Sequence, residues 1–331
     1  MDFDFSGRCF LITGGAGFIG SNLADRLLSL GAEVTVLDNF STGKKANLQA
    51  ALECDRFHLI TGDIRDADLC QQVTRNMDTV IHLAALGSVP RSIKDPCTST
   101  AVNISGFVNM IFAAHQSGVK KFVYASSSSV YGDSPDLPKY EGKTGKPLSP
   151  YALTKAVDEL FAENFHRIYN IDTIGLRFFN VFGRRQDPDG AYAAVIPKFA
   201  AALLEHRAPV INGDGTFSRD FTYIDNVLQV ICRTLVCDDA DAWNQIYNVA
   251  CGAQMSLNEL FTQLRHDLAE FDPVVAGIEP VYGQCRPGDI PHSLADINKA
   301  EKLLKYIPEI SAGEGISLTA KWYFENLKTE Q

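Results

Sequence analysis

The chain has 331 residues, 46% apolar and 21% charged, with a formal net charge of −10 at pH 7. A chain of this length and composition buries a large core without disulfides and is not disordered. The negative charge excludes general affinity for nucleic acid or an anionic lipid surface, so a phosphate ligand must be held by a few local donors.

The start, Met1-Asp2-Phe3-Asp4-Phe5, lacks the basic and apolar regions of a secretory signal. No stretch approaches the roughly eighteen uninterrupted apolar residues of a membrane span. Both features favour the cytoplasm and no membrane partner. The eight cysteines form no C-x-x-C pair, which fits core-filling thiols in a reducing compartment and no metal site.

Residues 8–13 and 33–38 are short runs rich in β-branched side chains, and residues 17–30 between them have helical periodicity. Strand-like runs recur at 57–60, 79–83 and 121–125, with helical stretches at 66–75 and 98–116. This alternation specifies a parallel sheet with helices on both faces. Further helices are predicted at 150–169, 193–206, 225–237, 256–270 and 315–327, separated by Gly and Pro clusters at 183–190, 212–215 and 285–291. No repeat or linker-like segment divides the chain. Two interleaved lobes are expected, residues 1–178 with sheet contributions from about 219–250, and residues 179–331, sharing strands near 172–176 and 245–249.

Gly14-Gly15-Ala16-Gly17-Phe18-Ile19-Gly20 has G-x-x-G-x-x-G spacing between a strand and a helix. Gly14 permits the tight turn, Gly17 lets backbone approach a pyrophosphate, and Gly20 lets helix pack on sheet. The helix N-terminus offers N–H groups and partial positive charge to the phosphates. Asp38 closes the next strand, where a carboxylate accepts from ribose hydroxyls and repels a 2′-phosphate; this selects NAD over NADP. Asp63 is read as an acceptor for the adenine amino group, with a helix N-cap as the alternative. Leu83, Ala84 and Ala85 are small enough at the fourth strand's end for the cofactor to lie flat.

Tyr151 and Lys155 stand at i and i+4 on one helix face. A tyrosine is a poor base at its unperturbed pKa of about 10, and a neighbouring ammonium favours the phenolate. Upstream, Ser126-Ser127-Ser128-Ser129 follows the fifth strand, at the edge where open α/β sheets bind ligands. A serine there can share a proton between substrate and Tyr151. His58, His82 and His292 have no metal-ligand spacing and are read as bystanders.

Over almost its whole length the chain resembles the extended short-chain dehydrogenases, through TGGAGFIGSNL, LDNFSTG, ASSSSVYG, SPYALTK, LRFFNVFG, SRDFTYIDNV and CRPGD. It is most similar to the UDP-hexose 4-epimerase branch and, through AALGSVPRSIKDP, RRQDPDGAYAAVIPKF and INGDG, to bacterial UDP-N-acetylhexosamine 4-epimerases. The resemblance implies an α/β fold, a doubly wound Rossmann sheet with a smaller, interleaved C-terminal lobe for the substrate. It implies Tyr151 as base on the sugar 4-hydroxyl, Lys155 as holder of the nicotinamide ribose, and Ser127 as proton mediator. Phe18, Ile19, Asn39, Ser41, Thr42, Gly43, Ile64, Asn103, Phe178 and Val181 join the NAD site. Gly87, Ser88, Ser128, Ser129, Asn180 and Gln186 line the sugar pocket, and Ala194, Val195, Asn212, Arg219, Arg286 and Asp289 hold the nucleotide. A homodimer paired through the helix bearing Tyr151 is also implied.

The implied reaction interconverts UDP-N-acetylglucosamine and UDP-N-acetylgalactosamine through a 4-keto sugar, with NAD recycled. Related epimerases that reject acetylated sugars carry a tyrosine at the position matching Ser293, which favours the acetylated substrate; a turn-capping serine is the alternative. UDP-N-acetylglucosaminuronate is the rival substrate and UDP-glucose a further one. A dehydratase would carry an Asp-Glu pair where Ser128 and Ser129 stand, and a noncatalytic NAD sensor has no need of the Ser127–Tyr151–Lys155 relay.

Overall fold

The structure, a computed structural model, describes residues 3–189, 193–285 and 290–327. Strand β1 (Cys9–Thr13) leads through the glycine turn into helix α1 (Phe18–Ser29), and β2 (Glu33–Asp38), β3 (Phe57–Thr61), α2 (Ala67–Val73) and β4 (Thr79–His82) follow. A broken helical run comprises α3 (Val89–Lys94), α4 (Pro96–Thr100), a π-helical turn over Ala101–Ser105, and α5 (Gly106–Gln116). Next come β5 (Lys121–Ser127), α6 (Pro150–Tyr169) and β6 (Asp172–Phe178). The ends of α6 are set locally: Ser149 accepts the N–H of Ala152, Pro150 fits the first turn, and Asn170 caps the far end at a φ of 56°.

The second half adds β7 (Val181–Phe182), α7 (Val195–Leu204), β8 (Val210–Asn212), β9 (Ser218–Arg219), β10 (Thr222–Tyr223) and α8 (Ile224–Leu235). It continues with β11 (Gln245–Val249), β12 (Met255–Ser256), α9 (Leu257–Ala269), β13 (Val281–Gly283), α10 (Asn298–Leu304) and α11 (Ala312–Leu327).

Seven strands form one parallel sheet in the order β11-β6-β5-β4-β1-β2-β3. The order reverses between β1 and β4, which opens a crevice at the strands' C-terminal ends. β11 comes from the second half and pairs with β6, so both halves build the sheet. Alternation along each strand feeds two cores. Phe10, Ile12 and Val123 pack with residues of α1, α7 and α8, whereas Leu11, Val80 and Phe122 pack with residues of α5 and α6. The helical run Pro96–Gln116 is long and apolar enough by composition to cross a membrane, but Phe107, Met110 and Ile111 are buried in the second core.

Three sequence expectations are corrected. The helix expected at 98–116 starts at Pro96, under an Asp95 cap, and is interrupted by the π turn. β5 runs two residues beyond 125, because Ser126 and Ser127 pair with Arg177 and Phe178. The turn that Ser293 would cap is replaced by extended pairing, since bridges Ser218–His292 and Lys139–Ala295 flank it and the next helix begins only at Asn298.

Asp220, fully buried, accepts the N–H groups of Cys251, Gly252 and Ala295 at 2.9, 3.0 and 3.2 Å, joining β9–β10 to two later segments. Burial pushes its carboxyl up to about 6 while the backbone donors pull it back. An unpaired buried donor costs about 1–3 kcal/mol. Asp220→Ala strands three, and is expected to lower unfolding free energy by about 3 kcal/mol or more at pH 7, measured by urea denaturation; a loss under about 1 kcal/mol would show that the carboxylate does not tie these segments.

Candidate active site

The glycine turn is shaped by close approaches. Gly14 has a φ of 71°, and a Cβ there would stand 2.8 Å from the backbone of Ala84. A Cβ on Gly20 would collide with the Gly14 carbonyl, so α1 packs on the turn only with bare backbone. Gly17 is the N-cap of α1 with no side-chain cap, which suits an anion at the helix N-terminus. Asp38 is buried; its Oδ2 accepts the N–H of Ala16 at 2.9 Å and its Oδ1 that of Phe40 at 2.8 Å. Both oxygens retain lone pairs for a ribose diol. These residues fit a dinucleotide whose adenosine ribose carries no 2′-phosphate.

A cleft of about 300 Å³ is lined by Gly14, Gly17, Phe18, Ile19, Asp38, Asn39, Ser41, Thr42, Ile64, Leu83, Ala84 and Ala85, and also by Leu86, Gly87, Val102 and Ala125. Other residues expected at the cofactor are not part of that lining. Gly43 presses on Ala16, where a Cβ would come within 2.8 Å, so it docks the loop after β2 onto the glycine turn. Asp63 turns to the Arg65 guanidinium at 2.7 and 2.9 Å and to Asn39 at 2.8 Å; the bonds from Arg65 hold its carboxyl well below the usual range. Asp66, not Asp63, caps α2. Asn103 lies buried in the π turn, accepting the N–H of Leu86 at 2.8 Å and donating to the Thr154 hydroxyl at 3.0 Å. Thus it ties one wall of the cleft to α6. Phe178 ends β6 opposite Ser127, and Val181 lines a second pocket.

The cleft ends at the motif on α6. A Cβ on Gly87 would lie 3.9 Å from the Tyr151 hydroxyl. The backbone N–H of Tyr151 donates to the Ser92 hydroxyl at 3.0 Å, fixing the start of α6 against α3. Lys155 donates to the Ala125 carbonyl at 2.9 Å and to Asp158 at 3.2 Å. Ser127 ends β5, and its hydroxyl accepts the N–H of Ser129 at 3.2 Å. Its neighbour Ser126 points the other way, donating to Glu159 at 2.5 Å, while Glu159 pairs with Arg177 at 2.8 Å. His82 is buried beside the Thr13 hydroxyl at 2.9 Å. Burial, with the charge of Lys155 added, pushes its imidazole down to about 3, so the ring is neutral.

The second pocket, about 560 Å³, brings together Asn180, Gln186, Ala194, Val195, Asn212 and Arg219, with Val181, Lys198 and Phe221. Arg219 donates to the carbonyls of Ser218 and Pro291 at 2.9 and 3.1 Å. Gly87, Ser88, Ser127, Ser128, Ser129 and Tyr151 are outside its lining. Ser88 caps α3. The Ser129 hydroxyl and the Gln186 side-chain oxygen are buried without a hydrogen-bond partner. Ser293 is half-buried and donates its backbone N–H to Ser218 at 3.1 Å, next to Arg219; it caps no helix. Arg286 and Asp289 fall outside the described residues. Sequence reading missed Asp158, although its i+3 spacing from Lys155 was the available signal, and it missed Asn103 as a tie between segments.

Comparisons with known proteins agree with this geometry. The model of the NAD dependent epimerase/dehydratase family matches residues 10–250. A putative UDP-glucose 4-epimerase from Methanocaldococcus jannaschii is 37% identical over 96% of this chain and 99% of its own. The structure of UDP-N-acetylglucosamine 4-epimerase from Methanobrevibacter ruminantium M1, in complex with UDP-N-acetylmuramic acid, superposes with a TM-score of 0.89 at 39% identity, covering 98% of this chain and 99% of that one. The UDP-glucuronic acid 4-epimerase from Bacillus cereus, in complex with UDP-glucuronic acid and NAD, gives 0.87 at 30% identity, covering 96% and 99%.

Asp38→Ala removes the ribose acceptor and frees the N–H groups of Ala16 and Phe40. Hydrogen bonds to a charged group are worth about 1.5–3 kcal/mol, so NAD affinity should fall roughly 10- to 100-fold, read by calorimetry on stripped protein. An unchanged affinity would place the adenosine ribose elsewhere.

Proposed function

The chain belongs to the NAD dependent epimerase/dehydratase family, and we propose that within it the protein is a UDP-sugar 4-epimerase interconverting UDP-N-acetylglucosamine and UDP-N-acetylgalactosamine. The observation that carries the reading is the Tyr151 hydroxyl beside Gly87, at the end of a cleft whose turn and carboxylate suit NAD. NAD supplies acceptance and return of a hydride at C4 when bound, held by the glycine turn, Asp38 and Lys155. Tyr151 takes the 4-hydroxyl proton and later restores it, Ser127 carries the proton between them, and Lys155 stabilises the phenolate. The pocket with Asn212 and Arg219 holds the nucleotide half, so that the keto sugar can turn its other face without escaping; guanidinium geometry suits a diphosphate. The serines at 128 and 129 offer no acid for an elimination, which favours epimerisation over dehydration.

The acetylated substrate is favoured by small residues. Gly87, Ser88, Ala194 and Ser293, which the resemblance sets around the sugar, are all small side chains that would not crowd a 2-acetamido group, and the Methanobrevibacter relative is a UDP-N-acetylglucosamine 4-epimerase. UDP-N-acetylglucosaminuronate is the second reading, supported by likeness to the UDP-glucuronic acid enzyme. Assays of UDP-N-acetylglucosamine, UDP-glucose and UDP-N-acetylglucosaminuronate side by side separate the readings. Ser293→Tyr is then expected to collapse kcat/KM for UDP-N-acetylglucosamine while sparing UDP-glucose. The ratio of the two should change by more than the roughly 10- to 200-fold of a lost methylene contact. An unchanged ratio in folded, NAD-loaded protein would remove Ser293 from the pocket.

A further inference from the structure

Lys155 and Asp158 form the most deeply buried ion pair among the described residues, with side chains 3% and 0% exposed and Nζ 3.2 Å from Oδ2. Lys155 is also fixed to the carbonyl of Ala125, a residue lining the cofactor cleft. The other carboxylate oxygen, Oδ1, is buried with no hydrogen-bond partner.

The neighbouring ionisable groups are paired or neutral. On α6, Glu159 is bound by Arg177 of β6 at 2.8 Å. From β5, burial raises Tyr124 well above its ordinary range and keeps it a phenol. From β4, His82 is held neutral by burial. Tyr131, after β5, lies under the Arg177 guanidinium at 4.8 Å and donates to Asn248 at 2.7 Å. Tyr151 remains, one turn before Lys155.

We propose that Asp158 is a positioning residue: it holds Lys155 charged at the end of β5, so that the proton given up as the site becomes basic leaves Tyr151 and not Lys155. The inference rests on Tyr151 being the base. Two arrangements carry the same number of protons, phenolate beside ammonium, which is active, and phenol beside amine, which is not. Burial of a lone ammonium favours the second; a carboxylate against the ammonium favours the first. Although burial pushes the Asp158 carboxyl up to about 7 against the pull of Lys155, it is ionised over the basic range in which the proton departs. Neutralising Asp158 therefore has two effects. Loss of a negative charge lets the first proton depart at lower pH, and the singly deprotonated pair then divides between the two arrangements.

Asp158→Asn preserves volume and removes the charge. In NAD-loaded protein, phenolate absorbance is titrated as the difference from the matching Tyr151→Phe protein, and kcat is followed over the same pH range. In the variant the titration should begin at lower pH. Its first stage should reach less than full amplitude, with the rest recovered at higher pH. The kcat plateau should fall about tenfold with KM for the UDP-sugar unchanged. Asp158→Glu, which retains the charge, should restore a single-stage curve. Superimposed curves with only a lower Tm would reduce Asp158 to a structural ion pair and overturn the proposal; so would an onset at higher pH. Asp158→Ser takes the same test if the asparagine variant does not fold. The absorbance titration needs no substrate, so it decides even if no UDP-sugar is turned over. Activity surviving in Tyr151→Phe would sink the assignment of the base, whereas superimposed titrations with an inactive Tyr151→Phe sink only the role of Asp158.

Discussion

The bond from the Lys155 ammonium to the carbonyl of Ala125 joins the helix that bears Tyr151 to the sheet that forms the cofactor cleft. One side of that joint is a strand end, where the open α/β sheet leaves its crevice. The other is a helix whose start is fixed by Ser149, Pro150 and the Ser92 hydroxyl. With both ends fixed, the Tyr151 hydroxyl stands beside Gly87. A longer side chain at residue 87 would crowd the phenol, and a shifted α6 would draw the ammonium from the cleft. The remaining contacts of the site hold this joint or depend on it. Asn103 braces Leu86 against Thr154, and Glu159 locks Arg177 on the far face.

The cofactor half was legible because its requirements are local. A glycine with φ of 71° that also touches Ala84 has no substitute, and a carboxylate at the end of β2 sits two residues from the N–H it accepts. The same locality predicted α6 at 150–169, where Ser149 and Pro150 mark the start. What escaped depends on distant segments. Asn103 gains its place only when the loop after β4 folds over the π turn. Ser293 sits beside Arg219 because isolated bridges, not helix periodicity, govern 292–295. The serine run was half readable: period two along β5 sends Ser126 and Ser127 to opposite faces.

The second pocket lies close to the first. It begins at Asn180, two residues past the strand end that faces Ser127, so the sheet edge is shared by both sites. Asp220, one residue from Arg219, binds three backbone N–H groups and fixes the pocket wall to segments far along the chain.

Retention of one hydride through both half-reactions is the central claim. It is tested most directly with a UDP-sugar deuterated at C4, followed by mass and NMR analysis of both epimers. The deuterium should remain at C4 in substrate and product, without exchange into water and without net consumption of NAD. Loss of the label to solvent, or one equivalent of reduced cofactor released per turnover, would contradict the account.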